Sequence, residues 1–143
     1  MKKEPRYHQG KFTPRNLDKY RGTVPIKYLC GLELQFLRWC DKNPRVVKWS
    51  YEPGRKTDPH KRVWYHCPVR NSDHYYIIDA WIRYYDSQNV LRETYVEIKP
   101  MSQVVQPKQT GRGWKTKMAE WMINQAKWAA AKKYAAKQNK GFI

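Results

Sequence analysis

At 143 residues and 17.3 kDa, the chain is long enough for one domain and too short for a second full core. With 41% hydrophobic residues, a mean hydropathy of −0.97 and no apolar run near the roughly 18 residues a membrane helix needs, a helical membrane span is excluded. Twenty-nine basic against 12 acidic residues give a net charge of +17, which makes nucleic acid the favoured partner, because clustered Lys and Arg release counterions from phosphate.

The positive field is uneven. Residues 1–27 carry +6, residues 99–143 carry +9, and the middle, 28–98, carries only +2 while holding nine of the 12 acids. Basic flanks can equally be solvated tails or dock on an acidic protein. The opening MKKEPRYHQGKF has no apolar stretch, so no secretory signal is expected. Cys30, Cys40 and Cys67 are an odd, sparse set, which points to a reducing compartment rather than a disulfide framework.

In chain order, residues 1–28 contain Pro5, Pro14 and Pro25, several charges and no periodicity, and read as an extended basic arm. One domain is expected to fill 29–143. A helix is predicted from Gly31, with Phe36, Leu37 and Cys40 on one face, stopping before Asn43-Pro44. Val47, Trp49 and Tyr51 alternate with polar residues as a strand, residues 52–61 read as a loop, and 62–67 read as a second strand. Tyr75–Tyr85 is the clearest strand: Tyr76, Ile78, Ala80, Ile82 and Tyr84 share one apolar face, and Asp79, Trp81 and Arg83 the other. Asp86-Ser87-Gln88-Asn89 is a turn, and 92–99 the returning strand. Residues 100–113 form a polar loop. A long helix follows over 114–137, with Met118, Trp121, Met122, Gln125, Trp128 and Ala129 as its buried stripe. The order helix, strands, helix predicts an α/β fold.

A turn centred on Gln88 puts Asp79 directly opposite Glu97, with Lys99 on the same face. Opposed Cβ atoms in an antiparallel pair lie about 4.5–5.5 Å apart, where like charges destabilise. A hard divalent cation would resolve the conflict, since Mg²⁺ is held by one or two carboxylates plus phosphate oxygens. An ordinary charged strand face, neutralised by Lys99 and Arg83, fits the same pattern. Glu33 heads the apolar stripe of the first helix, but spacing alone favours a solvated first-turn acid. In the basic C-terminal flank, Lys108, Arg112 and Lys115 are available for phosphate contacts. No close cysteine pair exists for zinc, and no P-loop, G-x-S-x-G or H-E-x-x-H motif is present.

The order Glu33, Asp79, Glu97-Ile98-Lys99 resembles the PD-(D/E)XK nuclease superfamily. Longer strings are similar to the head-completion nucleases of tailed bacteriophages. They are Tyr-His-Gln-Gly-Lys-Phe-Thr-Pro-Arg-Asn at 7–16, Glu33-Leu34-Gln35-Phe36 through Trp39-Cys40-Asp41, Val96-Glu97-Ile98-Lys99-Pro100 and Asn124-Gln125-Ala126-Lys127-Trp128. Ile78 stands where the proline that names the superfamily would be. The resemblance implies a restriction-endonuclease-like core, with a mixed central sheet, one helix before the catalytic hairpin and a long one after it. It implies a Mg²⁺- or Mn²⁺-dependent nuclease acting on double-stranded DNA at the packaging vertex of the filled head, before the tail joins, beside portal and connector proteins. By the superfamily's roles, Asp79 and Glu97 bind the metal, Lys99 orients the attacking water and Glu33 assists the metal or a second ion. Asn124 and Lys127 contact substrate. The end at Gly141-Phe142-Ile143, where the family continues into a further strand, points to a truncated end. A rival expectation is a non-catalytic neck protein that seals DNA in the virion with a nuclease fold. A basic RNA-binding protein is a third, and it leaves the acids unexplained.

Overall fold

A computed structural model describes residues 9–53 and 62–143. In chain order these form β1 (Gly10–Phe12), a 3₁₀ turn (Leu17–Lys19), β2 (Ile26–Tyr28), α1 (Gly31–Lys42), β3 (Val46–Tyr51), β4 (Val63–Cys67), β5 (Ser72–Tyr76), β6 (Ala80–Tyr85), β7 (Leu91–Val96), α2 (Met101–Val104), α3 (Trp114–Ala136) and β8 (Gly141–Phe142). The central sheet has the order β3-β6-β7-β8. Its first three strands are antiparallel and β8 joins parallel to β7, so the sheet is mixed, with α1 before the β6–β7 hairpin and α3 after it. The expected α/β architecture is met. No described helix is long and apolar enough to cross a membrane.

Two cores sandwich this sheet. Leu37 and Cys40 of α1, Ile26 and Tyr28 of β2, and Val46, Trp49, Ala80, Ile82 and Val96 from the sheet make the first. Ala131 and Ala135 of α3 pack with Trp81 and Tyr95 from the other sheet face, and with Val63, Tyr76 and Ile78, to make the second. Cys40 is wholly buried, and its thiol is pushed up by that burial, so its place is packing. All three cysteines are free thiols.

Five expectations change. Residues 1–8 and 54–61 lie outside the described residues, but 9–28, read as an extended arm, folds onto the domain. Ile26 and Tyr28 enter the first core, and β1 pairs with β2. The anchor is Asp41, whose carboxylate accepts the Arg15 N–H at 3.1 Å and the Asn16 N–H at 3.0 Å. Lys19 Nζ donates to the carbonyls of Cys40, Asp41 and Asn43 at 2.9, 3.1 and 2.9 Å, closing the C-terminal end of α1. These are long-range polar bonds, invisible to periodicity. Replacing Lys19 by Met should strand those carbonyls and cost about 1–2 kcal/mol, measured by urea unfolding.

The single strand expected over 75–85 is two strands. β5 pairs with β4 in a separate hairpin, while β6 joins the central sheet. Tyr76 and Ile78 therefore go to the second core, and Ala80 and Ile82 to the first. An unbroken alternation cannot show a change of sheet partway along it. In β3 a bulge between Val46 and Lys48 buries Val46 in place of Val47. On α3, Met122, Gln125 and Ala129 are exposed and Ala131 and Ala135 are buried, because the small residues let the helix lie close to the sheet. The loop expected at 100–113 contains the short α2.

Candidate active site

The β6–β7 hairpin sets the site. Asp86 organises its turn, accepting the N–H groups of Gln88 at 2.8 Å and Val90 at 2.9 Å and pairing with Arg92. The ladder that follows runs from Tyr85↔Leu91 to Ala80↔Val96, the register a turn centred on Gln88 predicts. Asp79 and Glu97 follow immediately beyond its last rung.

There the side chain of Asp79 takes over from the ladder. Its Oδ2 accepts the Ile98 N–H at 2.7 Å, and its carbonyl accepts the Glu52 N–H at 2.7 Å. Glu97 is held from the other edge, because its N–H donates to the Ile143 carbonyl at 2.8 Å. Its side chain is 12% exposed; Oε1 lies 3.9 Å from Lys99 Nζ, and Oε2 is buried without a hydrogen bond of full geometry, the Trp128 indole N–H being the weak donor that faces the carboxyl.

Both carboxyls are held well above the usual carboxylate range. For Asp79 the main cause is burial, opposed by the Ile98 N–H and the Lys99 charge, with Glu33 and Glu52 adding to the rise. For Glu97 it is burial, then the charge of Asp79, opposed by Lys99, Trp128 and Lys127. The half-buried Lys127 ammonium, 5.9 Å from the Tyr65 ring centroid and 5.7 Å from that of Tyr76, is shifted down by burial and by Lys99. A desolvated pair of acids thus faces two lysines, the charge pattern of a functional cleft.

The structure therefore brings Asp79, Glu97, Lys99 and Lys127 together. Asn124 lies one turn before Lys127 on α3 and is half-buried. Glu33 is engaged elsewhere: its Oε2 accepts the Leu29 N–H at 2.8 Å and the Tyr51 hydroxyl at 2.7 Å, so it ties the start of α1 to β3 while its charge still reaches Asp79. Lys108, Arg112 and Lys115 are exposed, the last over the Trp114 ring, and no contact joins them to the acids.

Sequence reasoning missed Tyr51 and Glu52. Extending the β3–β6 register one step past Tyr51↔Ala80 puts Glu52 opposite Asp79. Only knowledge that β3 pairs with β6 reveals it. Glu52 also has a positive φ of 48°, an unusual backbone setting for a non-glycine residue and one that recurs at functional sites.

A divalent cation fits the donor set. Glu97 Oε2 is a buried acceptor with no full hydrogen bond, faced only weakly by the Trp128 indole N–H, and the neighbouring donor, Asp79, is likewise a hard oxygen. Among the described residues no three His, Cys, Asp or Glu side chains form a metal cage. A two-carboxylate site that leaves coordination to water and phosphate suits Mg²⁺ or Mn²⁺ better than a closed structural zinc.

The comparisons with known proteins point to a nuclease. The head completion nuclease of Enterobacteria phage T4 is 29% identical to the chain over 139 residues, spanning 92% of this chain and 85% of that protein. No solved structure matches. The family described as TnsA-like endonuclease N terminal matches residues 43–143, a span that contains β3, the whole β6–β7 hairpin with Asp79, Glu97 and Lys99, and α3 with Lys127. On that match the chain belongs to the TnsA-like endonuclease N-terminal family, a nuclease family of the PD-(D/E)XK type.

Proposed function

We propose that the chain is a divalent-metal-dependent DNA nuclease of phage head completion, hydrolysing phosphodiester bonds at the packaging vertex before the tail joins. The observation that carries the reading is the buried Asp79–Glu97 pair, two like charges desolvated side by side and faced by Lys99 and Lys127.

Asp79 and Glu97 would hold Mg²⁺ or Mn²⁺. Such an ion, when bound, makes water a stronger nucleophile and offsets charge on the phosphodiester. Lys99, beside Glu97 Oε1, orients the attacking water. As the new O–P bond forms and the P–O bond to the leaving oxygen breaks, Lys99 and Lys127 oppose the growing negative charge on the phosphoryl oxygens. The attacking water gives up a proton to solvent as it bonds to phosphorus, and the leaving oxygen takes one from solvent. Glu33 contributes its field and holds Tyr51, and does not ligate directly. Asn124 meets the substrate on the same side as Lys127. The head-completion setting rests on the phage T4 relative's name, and double-stranded DNA with the portal and connector proteins are its partners in that setting. Assembly would take place in the host cytoplasm, and the head–tail vertex of the virion is its destination.

Incubating the protein with linear and circular duplex DNA, in Mg²⁺, Mn²⁺ or EDTA, tests this. Metal-dependent cleavage supports it, and loss of circular substrate would identify endonuclease action. Binding with no cleavage under any metal would instead favour a non-catalytic neck protein that seals DNA.

A further inference from the structure

Close to the acids lies a groove of about 970 Å³. Its walls come from distant parts of the chain: Arg21 and Lys27 from the N-terminal segment, Arg83 from β6, Lys140 from the approach to β8. Three of these cations converge on one side chain. Arg21, Arg83 and Lys140 place their charged groups 5.6, 5.4 and 5.8 Å from the Trp81 ring centroid, and Lys140 lies 5.5 Å from that of Tyr95.

Cations gathered this closely repel one another. Among them Glu93 is the acid that answers, 3.3 Å from Arg83 and 4.0 Å from Lys140. Glu52 is the other acid of the lining. Four cations against two acids leave the groove net positive, a state that a bound polyanion relieves. Cation–π contact with Trp81 holds the guanidinium and ammonium groups in place without neutralising them.

The groove also leads to the site. Trp81 follows Asp79 by two positions and Tyr95, its cross-strand partner, precedes Glu97 by two, on the same side of the sheet. Tyr51 and Glu52, which line the groove, touch the acids' surroundings directly, since the Glu52 N–H bonds to the Asp79 carbonyl and the Tyr51 hydroxyl to Glu33.

We propose that this groove binds the phosphodiester backbone of the DNA strand running away from the Asp79–Glu97 site, with Arg21 and Lys140 as its principal phosphate contacts. The proposal rests on the nuclease reading and adds the path of the substrate. It places the main DNA track on the side of the N-terminal segment and β8. The basic loop carrying Lys108 and Arg112 is not needed for it.

The test uses the full chain and a fluorescein-labelled DNA duplex, with binding followed by anisotropy in EDTA and cleavage followed separately in Mg²⁺. An Arg21→Gln/Lys140→Gln double variant should raise Kd about tenfold at about 100 mM salt and reduce the slope of log Kd against log salt by about two, near 0.9 for each lost phosphate contact. In cleavage it should raise KM with kcat little changed. Lys132→Gln/Lys133→Gln, which removes the same charge from the exposed outer surface of α3, should change Kd less than about twofold. The charge-keeping Arg21→Lys/Lys140→Arg variant should bind within about threefold of the parent, which separates lost phosphate contacts from misfolding. Equal affinities and equal slopes for the groove and outer-surface variants would overturn the proposal. If the parent protein cuts DNA while the groove variant binds normally, the groove fails and the nuclease reading stands. If the parent never cuts but the groove variant loses binding, the groove stands and the catalytic reading fails.

Discussion

Replacing Glu97 by Gln is expected to lower DNA cleavage by at least about 10³-fold while making the metal-free protein more stable. Both effects have one cause. Glu97 buries a carboxylate next to a second acid, with Lys99, Lys127 and the Trp128 indole offsetting only part of the cost, and an incompletely compensated buried charge is costly. The uncharged amide keeps the shape, removes the like-charge conflict with Asp79, and should raise metal-free stability by about 1–2 kcal/mol, or about 3–7 °C in Tm. Mg²⁺ should stabilise the parent by about 2.7 kcal/mol at a hundredfold excess over Kd and should leave the variant nearly unmoved. The dependence on pH has a definite sign. Because burial and Asp79 raise the Glu97 pKa in the folded state, the folded chain binds more protons than the unfolded one above the ordinary carboxylate range. Metal-free stability therefore falls as pH rises from that range through the raised value, and Glu97→Gln should flatten that fall. Scanning calorimetry with and without Mg²⁺ reads all of this. A variant that still cuts at the parent's rate, or one whose Tm responds to Mg²⁺ as the parent's does, would remove Glu97 from the site.

The second large effect is on folding. Asp41→Ala is expected to cost about 3 kcal/mol. The Asp41 side chain is almost wholly buried and accepts two backbone N–H groups from Arg15 and Asn16. Alanine supplies no acceptor, so both donors lose their partner. Urea unfolding gives the magnitude, and hydrogen exchange gives the location. Exchange should speed first at Arg15, Asn16 and their neighbours through Arg21, whose N–H bonds to the Trp49 carbonyl at 2.9 Å. DNA binding should weaken with it, since Arg21 is carried by the same segment. Unchanged exchange over 15–21 would show that the segment is held by its apolar contacts alone.

Much of the central hairpin was legible from the sequence. Asp86-Ser87-Gln88-Asn89 marked the turn, the turn fixed the register, and the register placed Asp79 against Glu97 with Lys99 beside them. Local rules suffice there because a hairpin joins residues close in sequence, and its side chains alternate with a fixed period. α1 was legible for the same reason, its spacing and the Asn43-Pro44 stop being local signals. The resemblance of Asn124 and Lys127 to the family's downstream helix pointed to that face of α3, and Lys127 does lie beside the acids.

What needed the tertiary structure involves partners far apart in the chain. Asp41 and Lys19 turn an apparent arm into part of the domain through bonds spanning more than twenty residues. One alternating stretch, 75–85, serves two cores because Ile78 and Ala80 face different neighbours, and pattern carries no record of which neighbour is met. Glu33 reads in the sequence as a first-turn acid, and only the fold shows its Oε2 bonded to Leu29 and Tyr51 and its charge acting on Asp79. The groove around Trp81 is assembled from Arg21, Arg83 and Lys140, each unremarkable in its own stretch of sequence. Composition and local spacing determined that the chain is a basic α/β domain with two opposed acids on a hairpin. Packing decided how deeply those acids are buried, which lysines answer them and where the positive charge gathers, because desolvation and Coulomb energy depend on distance in space and not on distance along the chain.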